Sequence, residues 1–149
     1  MAVPKGLQHL GLIVADLERS RSFYGGALGL DEVPRPTNFV FTGAWFAVGA
    51  EDQLHLIVET DTTGHAGAAD PGASVKVGLA THIAIEVEDL EAACARLDDH
   101  GVELVGGPMP RGDGVTQVFM RDPDGYVVEL FEWTGEDQSD APLREPIRA

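Results

Sequence analysis

His9-Leu10-Gly11-Leu12-Ile13-Val14-Ala15-Asp16-Leu17-Glu18 returns at a spacing of 73 residues (9 to 82) as His82-Ile83-Ala84-Ile85-Glu86-Val87-Glu88-Asp89-Leu90-Glu91. A second echo pairs Leu54-His55-Leu56 with Val128-Glu129-Leu130 at a spacing of 74 (55 to 129). Self-similarity at a nearly fixed offset is the signature of a repeated structural unit. Two copies are too few for a solenoid, so they predict two tandem modules related by pseudo-twofold symmetry within one domain.

Each copy opens on a strand. Leu10, Leu12 and Val14 alternate with His9, Gly11 and Ile13, as Ile83, Ile85 and Val87 alternate with His82, Ala84 and Glu86. Asp16 and Asp89 come next as N-caps, Leu90, Ala93, Cys94 and Leu97 keep helical spacing, and Gly29 and Gly101 are natural helix stops. Short β-prone segments lie beyond, around Phe39-Val40-Phe41, Ala44 to Val48 and Gln53 to Val58, echoed by Glu103 to Val105, Val115 to Met120 and Tyr126 to Glu132. The expectation is an α+β chain of two βαβββ modules, over 7–58 and 79–133. A Gly- and Pro-bearing linker over 59–78 joins them, and a loose polar tail over 134–149 ends the chain.

Composition narrows the function. The chain has 149 residues, 44% hydrophobic and 23% charged, which is ordinary globular composition with enough length for a core that needs neither structural metal nor disulfides. Ten basic against 25 acidic residues give a net charge of −15, which repels phosphate backbones and anionic membrane surfaces. Neither nucleic acid nor membrane is an expected partner. No apolar run reaches the roughly 18 residues of a membrane span, the first residues lack the apolar stretch of a signal peptide, and Cys94 is the only cysteine. A cytoplasmic setting is expected.

The strand positions that break the apolar pattern carry the chemistry. His9 and His82 are repeat partners, and so are His55 and Glu129, each of the latter flanked by apolar neighbours that point to the opposite sheet face. If the modules face one another across that side, all four converge. Three imidazoles and a carboxylate suit one borderline divalent ion per chain, whether Fe, Ni, Zn, Co or Mn. A lone strand histidine is more often a hydrogen-bonded residue than a ligand, but four metal-competent residues at repeat-equivalent positions are hard to ascribe to chance. Small Gly11 and Ala84, two residues on from the histidines, leave room for an ion. His65 and His100 lack this support and read as solvated. Asp122-Pro123-Asp124-Gly125 reads as turn chemistry, and Arg111 and Arg121 as surface ion pairs or contacts to an anionic substrate. Trp45 and Phe119, also repeat-equivalent, belong either to a cavity wall or to the core.

These residues, with Phe23-Tyr24 before Leu28-Gly29-Leu30 and Asp122-Pro123-Asp124-Gly125 before Val128-Glu129-Leu130, resemble the vicinal oxygen chelate superfamily over about residues 7 to 132. That superfamily includes glyoxalase I, bleomycin-resistance proteins and extradiol dioxygenases. The resemblance implies a barrel-like cup built from two curved sheets, with the ion inside and two adjacent oxygens of a small-molecule substrate completing its shell. It also implies a homodimer, since relatives often pair modules between chains, and exposed sheet edges need cover. With His9, His55, His82 and Glu129 as ligands, two positions stay open on a six-coordinate ion. That count suits lyase or isomerase chemistry of the lactoylglutathione-lyase kind through a metal-bound enediolate, with Glu129 as the catalytic proton carrier. With His55 outside the shell, three positions stay open, as an Fe(II) ring-cleaving dioxygenase needs. A bleomycin-resistance-like binding protein is the third reading. In bacterial-type glyoxalase I the ligand corresponding to His55 is commonly glutamate.

Overall fold

A computed structural model describes residues 4–67 and 76–135. The first module runs β1 (His9–Val14), α1 (Leu17–Arg21), β2 (Glu32–Val33), β3 (Gly43–Val48) and β4 (Asp52–Val58). The second runs β5 (His82–Glu86), α2 (Leu90–Asp99), β6 (Leu104–Pro110), β7 (Val115–Arg121) and β8 (Val127–Trp133). Two tandem βαβββ units are therefore present. Each forms a four-stranded sheet, in the orders β1-β4-β3-β2 and β5-β8-β7-β6, whose first strand pairs in parallel with its last. The two sheets remain separate and do not close into a barrel.

Asp16 and Asp89 cap the helices as expected, accepting from the backbone N–H groups of Arg19 at 2.9 Å and Ala92 at 2.8 Å. Beyond the first turn the two helices diverge. α2 keeps regular turns and stops at Gly101 with φ +69°. α1 lasts one turn and then widens over Ser22–Ala27, where Leu28 N–H reaches back to Phe23 O at 2.9 Å. The widening places Phe23, Tyr24 and Ala27 all in the core. Gly25 permits it, because a Cβ there would sit 3.2 Å from the Phe46 ring.

One segment departs from the sequence expectation. Phe39-Val40-Phe41 forms no strand; the first module's fourth strand is Glu32–Val33, paired with Trp45 and Phe46 of β3. Arg35 accounts for the difference. It donates to Phe41 O at 2.8 Å and Gly43 O at 2.7 Å, and its guanidinium lies over the rings of Phe41 and Phe39, so this aromatic run is folded into a loop around a cation. Of the expected linker, residues 68–75 lie outside the described residues, and so does the tail from residue 136. No helix among the described residues is long and apolar enough to cross a membrane.

One hydrophobic core serves both modules. Leu12, Val14, Phe46, Leu54 and Leu56 from the first sheet share it with Val118, Met120, Val128 and Leu130 from the second. Strand alternation then sends His9, Trp45 and His55, and His82, Phe119 and Glu129, to the opposite faces. The modules are also joined by polar bonds. Tyr24 donates its hydroxyl to Asp122 at 2.8 Å, Tyr126 donates to Ile13 O at 3.0 Å, and Asp124 accepts from Ala15 N–H. The Asp122–Gly125 turn thus latches the two halves together besides reversing the chain.

Candidate metal centre

The four sequence-predicted ligands fall into two pairs. In the second module, β5 and β8 run parallel with Ala84 opposite Glu129, which brings His82 Nε2 to 3.0 Å from Glu129 Oε2. In the first, β1 and β4 repeat the register with Gly11 opposite His55, and the rings of His9 and His55 stack 4.3 Å apart. Among the described residues no three His, Cys, Asp or Glu side chains converge on one point. His9 and His82 do line the same cleft between the modules, of about 310 Å³, together with Tyr24, Asp52 and Leu54.

The His82–Glu129 pair has the electrostatics of a cation site. His82 Nδ1 lies 2.7 Å from Ala80 O, and a carbonyl only accepts, so this nitrogen carries the hydrogen. In the neutral ring Nε2 then turns a lone pair toward the carboxylate, and two acceptors 3.0 Å apart require a proton or a cation between them. Glu129 is only 3% exposed, and its Oε1 has no hydrogen-bond partner among the described residues. These donors fit a divalent ion.

The His9–His55 pair is less committed. His9 Nδ1 meets Gln8 Oε1 at 2.5 Å, and His55 Nε2 meets Gln53 Oε1 at 2.8 Å. Burial, then the neighbouring His9 and Arg35, hold the His55 pKa below its usual value, which favours the neutral imidazole a metal needs. Trp45 covers the far side of His55 with ring centroids 3.9 Å apart. Phe119 meets His82 edge-on at 5.8 Å. Both aromatic repeat partners therefore abut candidate ligands, with Phe119 buried and Trp45 half-buried.

His65 and His100 stand apart. His65 is exposed and pairs with Glu59 at 2.8 Å, and His100 Nδ1 donates to Arg96 O at 2.9 Å. Arg121 donates to Gly125 O at 3.0 Å and braces the turn. Arg111 is more informative: it forms an ion pair with Asp113 at 2.8 Å, yet its Nη1 also lies 3.6 Å from the orphaned Oε1 of Glu129. Eighteen residues of sequence (111 to 129) conceal that proximity, which only the β6–β7 hairpin creates.

The sequence profile of the Glyoxalase/Bleomycin resistance protein/Dioxygenase superfamily matches residues 6–130. The chain belongs to this superfamily. Superfamily relatives include a lactoylglutathione lyase of Neisseria meningitidis, 34% identical over 140 residues, covering 89% of this chain and 94% of that one. A lactoylglutathione lyase of Salmonella typhimurium is 33% identical over 131 residues, covering 85% and 91%. The crystal structure of a glyoxalase/dioxygenase from Nostoc punctiforme superposes with a TM-score of 0.71 at 24% identity, covering 89% of this chain and 95% of that one. The last likeness is one of fold.

Proposed function

We propose that the protein is a divalent-metal enzyme of lyase or isomerase type, acting on a small molecule with two adjacent oxygens, with His9, His55, His82 and Glu129 holding the ion. The observation that carries this reading is the buried Glu129 carboxylate, with Oε2 3.0 Å from His82 Nε2 and Oε1 without a hydrogen-bond partner among the described residues. The lactoylglutathione lyases of similar length support the reaction class. When bound, the ion would polarise the substrate's paired oxygens and offset the negative charge that develops on them. Glu129 would take the proton from one carbon and return it to the adjacent one, so the first carbon is oxidised as its neighbour is reduced, with no net oxidation and no co-substrate consumed. Trp45 stacks on His55 and Phe119 meets His82 edge-on, so each aromatic ring would help to orient one of the donors.

A second copy of the chain would complete the site. Among the described residues β1 and β5 are both edge strands with an unpaired outer side. Leu7 and Leu79, two and three residues before these strands, are 78% and 80% exposed. Apposing β1 of one copy to β5 of another would cover both leucines and bring a His9–His55 pair to a His82–Glu129 pair.

The ring-cleaving dioxygenase is the second reading, favoured by the hydrogen bond that ties His55 Nε2 to Gln53. The test is metal analysis of the purified protein, with assays on hemithioacetals of α-keto aldehydes and on catechols, with and without oxygen. One ion per chain and oxygen-independent turnover of the hemithioacetal are expected. Oxygen-dependent catechol cleavage would overturn the lyase or isomerase reading, and absence of metal would overturn both.

A further inference from the structure

Arg111 is held on three sides. Asp113 takes its Nε at 3.0 Å and its Nη2 at 2.8 Å, the paired geometry that fixes a guanidinium plane. The guanidinium carbon lies 5.3 Å from the Phe131 ring centroid and 5.8 Å from that of Trp133, two rings on the same face of β8 as Glu129. Nη1 is the nitrogen Asp113 does not use, and it is the one 3.6 Å from Glu129 Oε1. The other oxygen, Oε2, faces His82.

We infer that Arg111 is the positioning residue of Glu129, holding Oε1 away from the metal so that the carboxylate binds through Oε2 alone. The inference rests on the metal-site reading above and adds a division of labour between the two oxygens. A carboxylate free to swing can chelate an ion with both oxygens. That would occupy a position the substrate needs and leave no oxygen free for the proton. A guanidinium anchored independently by Asp113 and the two rings opposes that swing, because Nη1 gains only while Oε1 stays beside it.

The experiment uses cobalt(II) as the probe in the full-length protein, with Arg111→Met, Arg111→Lys and Asp113→Asn. In Arg111→Met the cobalt visible absorption spectrum is expected to change as the carboxylate adds its second oxygen. kcat should fall at least about tenfold with KM within about twofold. Arg111→Lys, which keeps the charge, should recover part of both, and Asp113→Asn should give a weaker version of the Met effect. A spectrum superimposable on wild type together with unchanged kcat would overturn the inference. So would a rise in KM alone, which would make Arg111 a substrate anchor instead. Wild-type protein that takes up no cobalt would refute the metal site itself, and this inference with it. A wild type that binds cobalt while Arg111→Met matches it would refute the inference and leave the metal site standing.

Discussion

The Tyr24 hydroxyl of the first module donates to Asp122 of the second at 2.8 Å, and both side chains are buried. The same carboxylate accepts from the backbone N–H groups of Asp124 and Tyr126 through its other oxygen. One side chain therefore fixes its own turn and the neighbouring module at once. Tyr24→Phe strands a buried acceptor, for which a loss of about 1–3 kcal/mol is expected. Chemical denaturation should report a lower midpoint with an unchanged slope; an unchanged midpoint would mean that apolar contact alone joins the modules.

Glu129→Gln removes a buried charge and one metal donor together. Added divalent ion should raise the melting temperature of wild type and leave that of the variant nearly unmoved. Turnover should drop by a factor of about 10² or more. A variant stabilised by metal as strongly as wild type would remove Glu129 from the ligand set.

His55→Ala separates the two enzyme readings. As a ligand, its loss should weaken metal binding about tenfold or more, as judged by competition with a chelator. Stoichiometric metal at unchanged affinity would place it outside the shell and favour the dioxygenase. His65→Ala and His100→Ala, which touch none of the donors, should leave metal content at the wild-type level.

Leu7→Asp and Leu79→Asp place charges at the two exposed apolar positions beside the edge strands. Sedimentation should show a dimer for wild type and a shift toward monomer for the double variant, with metal lost in parallel. A monomer that retains its metal would mean that the cleft shared by His9 and His82 closes within one chain.

The repeat made most of this fold legible, since a strand that opens each copy and a capping aspartate after it are local features. The placement of His9, His55, His82 and Glu129 opposite the core came from strand alternation alone. What escaped was set by distant partners. The 39–41 segment has strand composition but is captured by Arg35. The Asp122 turn has ordinary turn chemistry, and nothing local announces Tyr24. Arg111 resembles a surface ion pair until the hairpin carries it to Glu129. Any convergence of the four candidate donors depends on how modules meet, which no periodicity records.

Along β4, Leu54 and Leu56 belong to the shared core while His55 between them stands on the other face; along β8, Val128 and Leu130 flank Glu129 in the same way. The candidate donors and the core contacts thereby fall to separate residues one step apart. Duplicated descendants of such a strand can exchange histidine for glutamate, or lose the donor entirely, without disturbing the contacts that make the protein fold. A family built on this alternation is free to diversify in reaction while its architecture stays put.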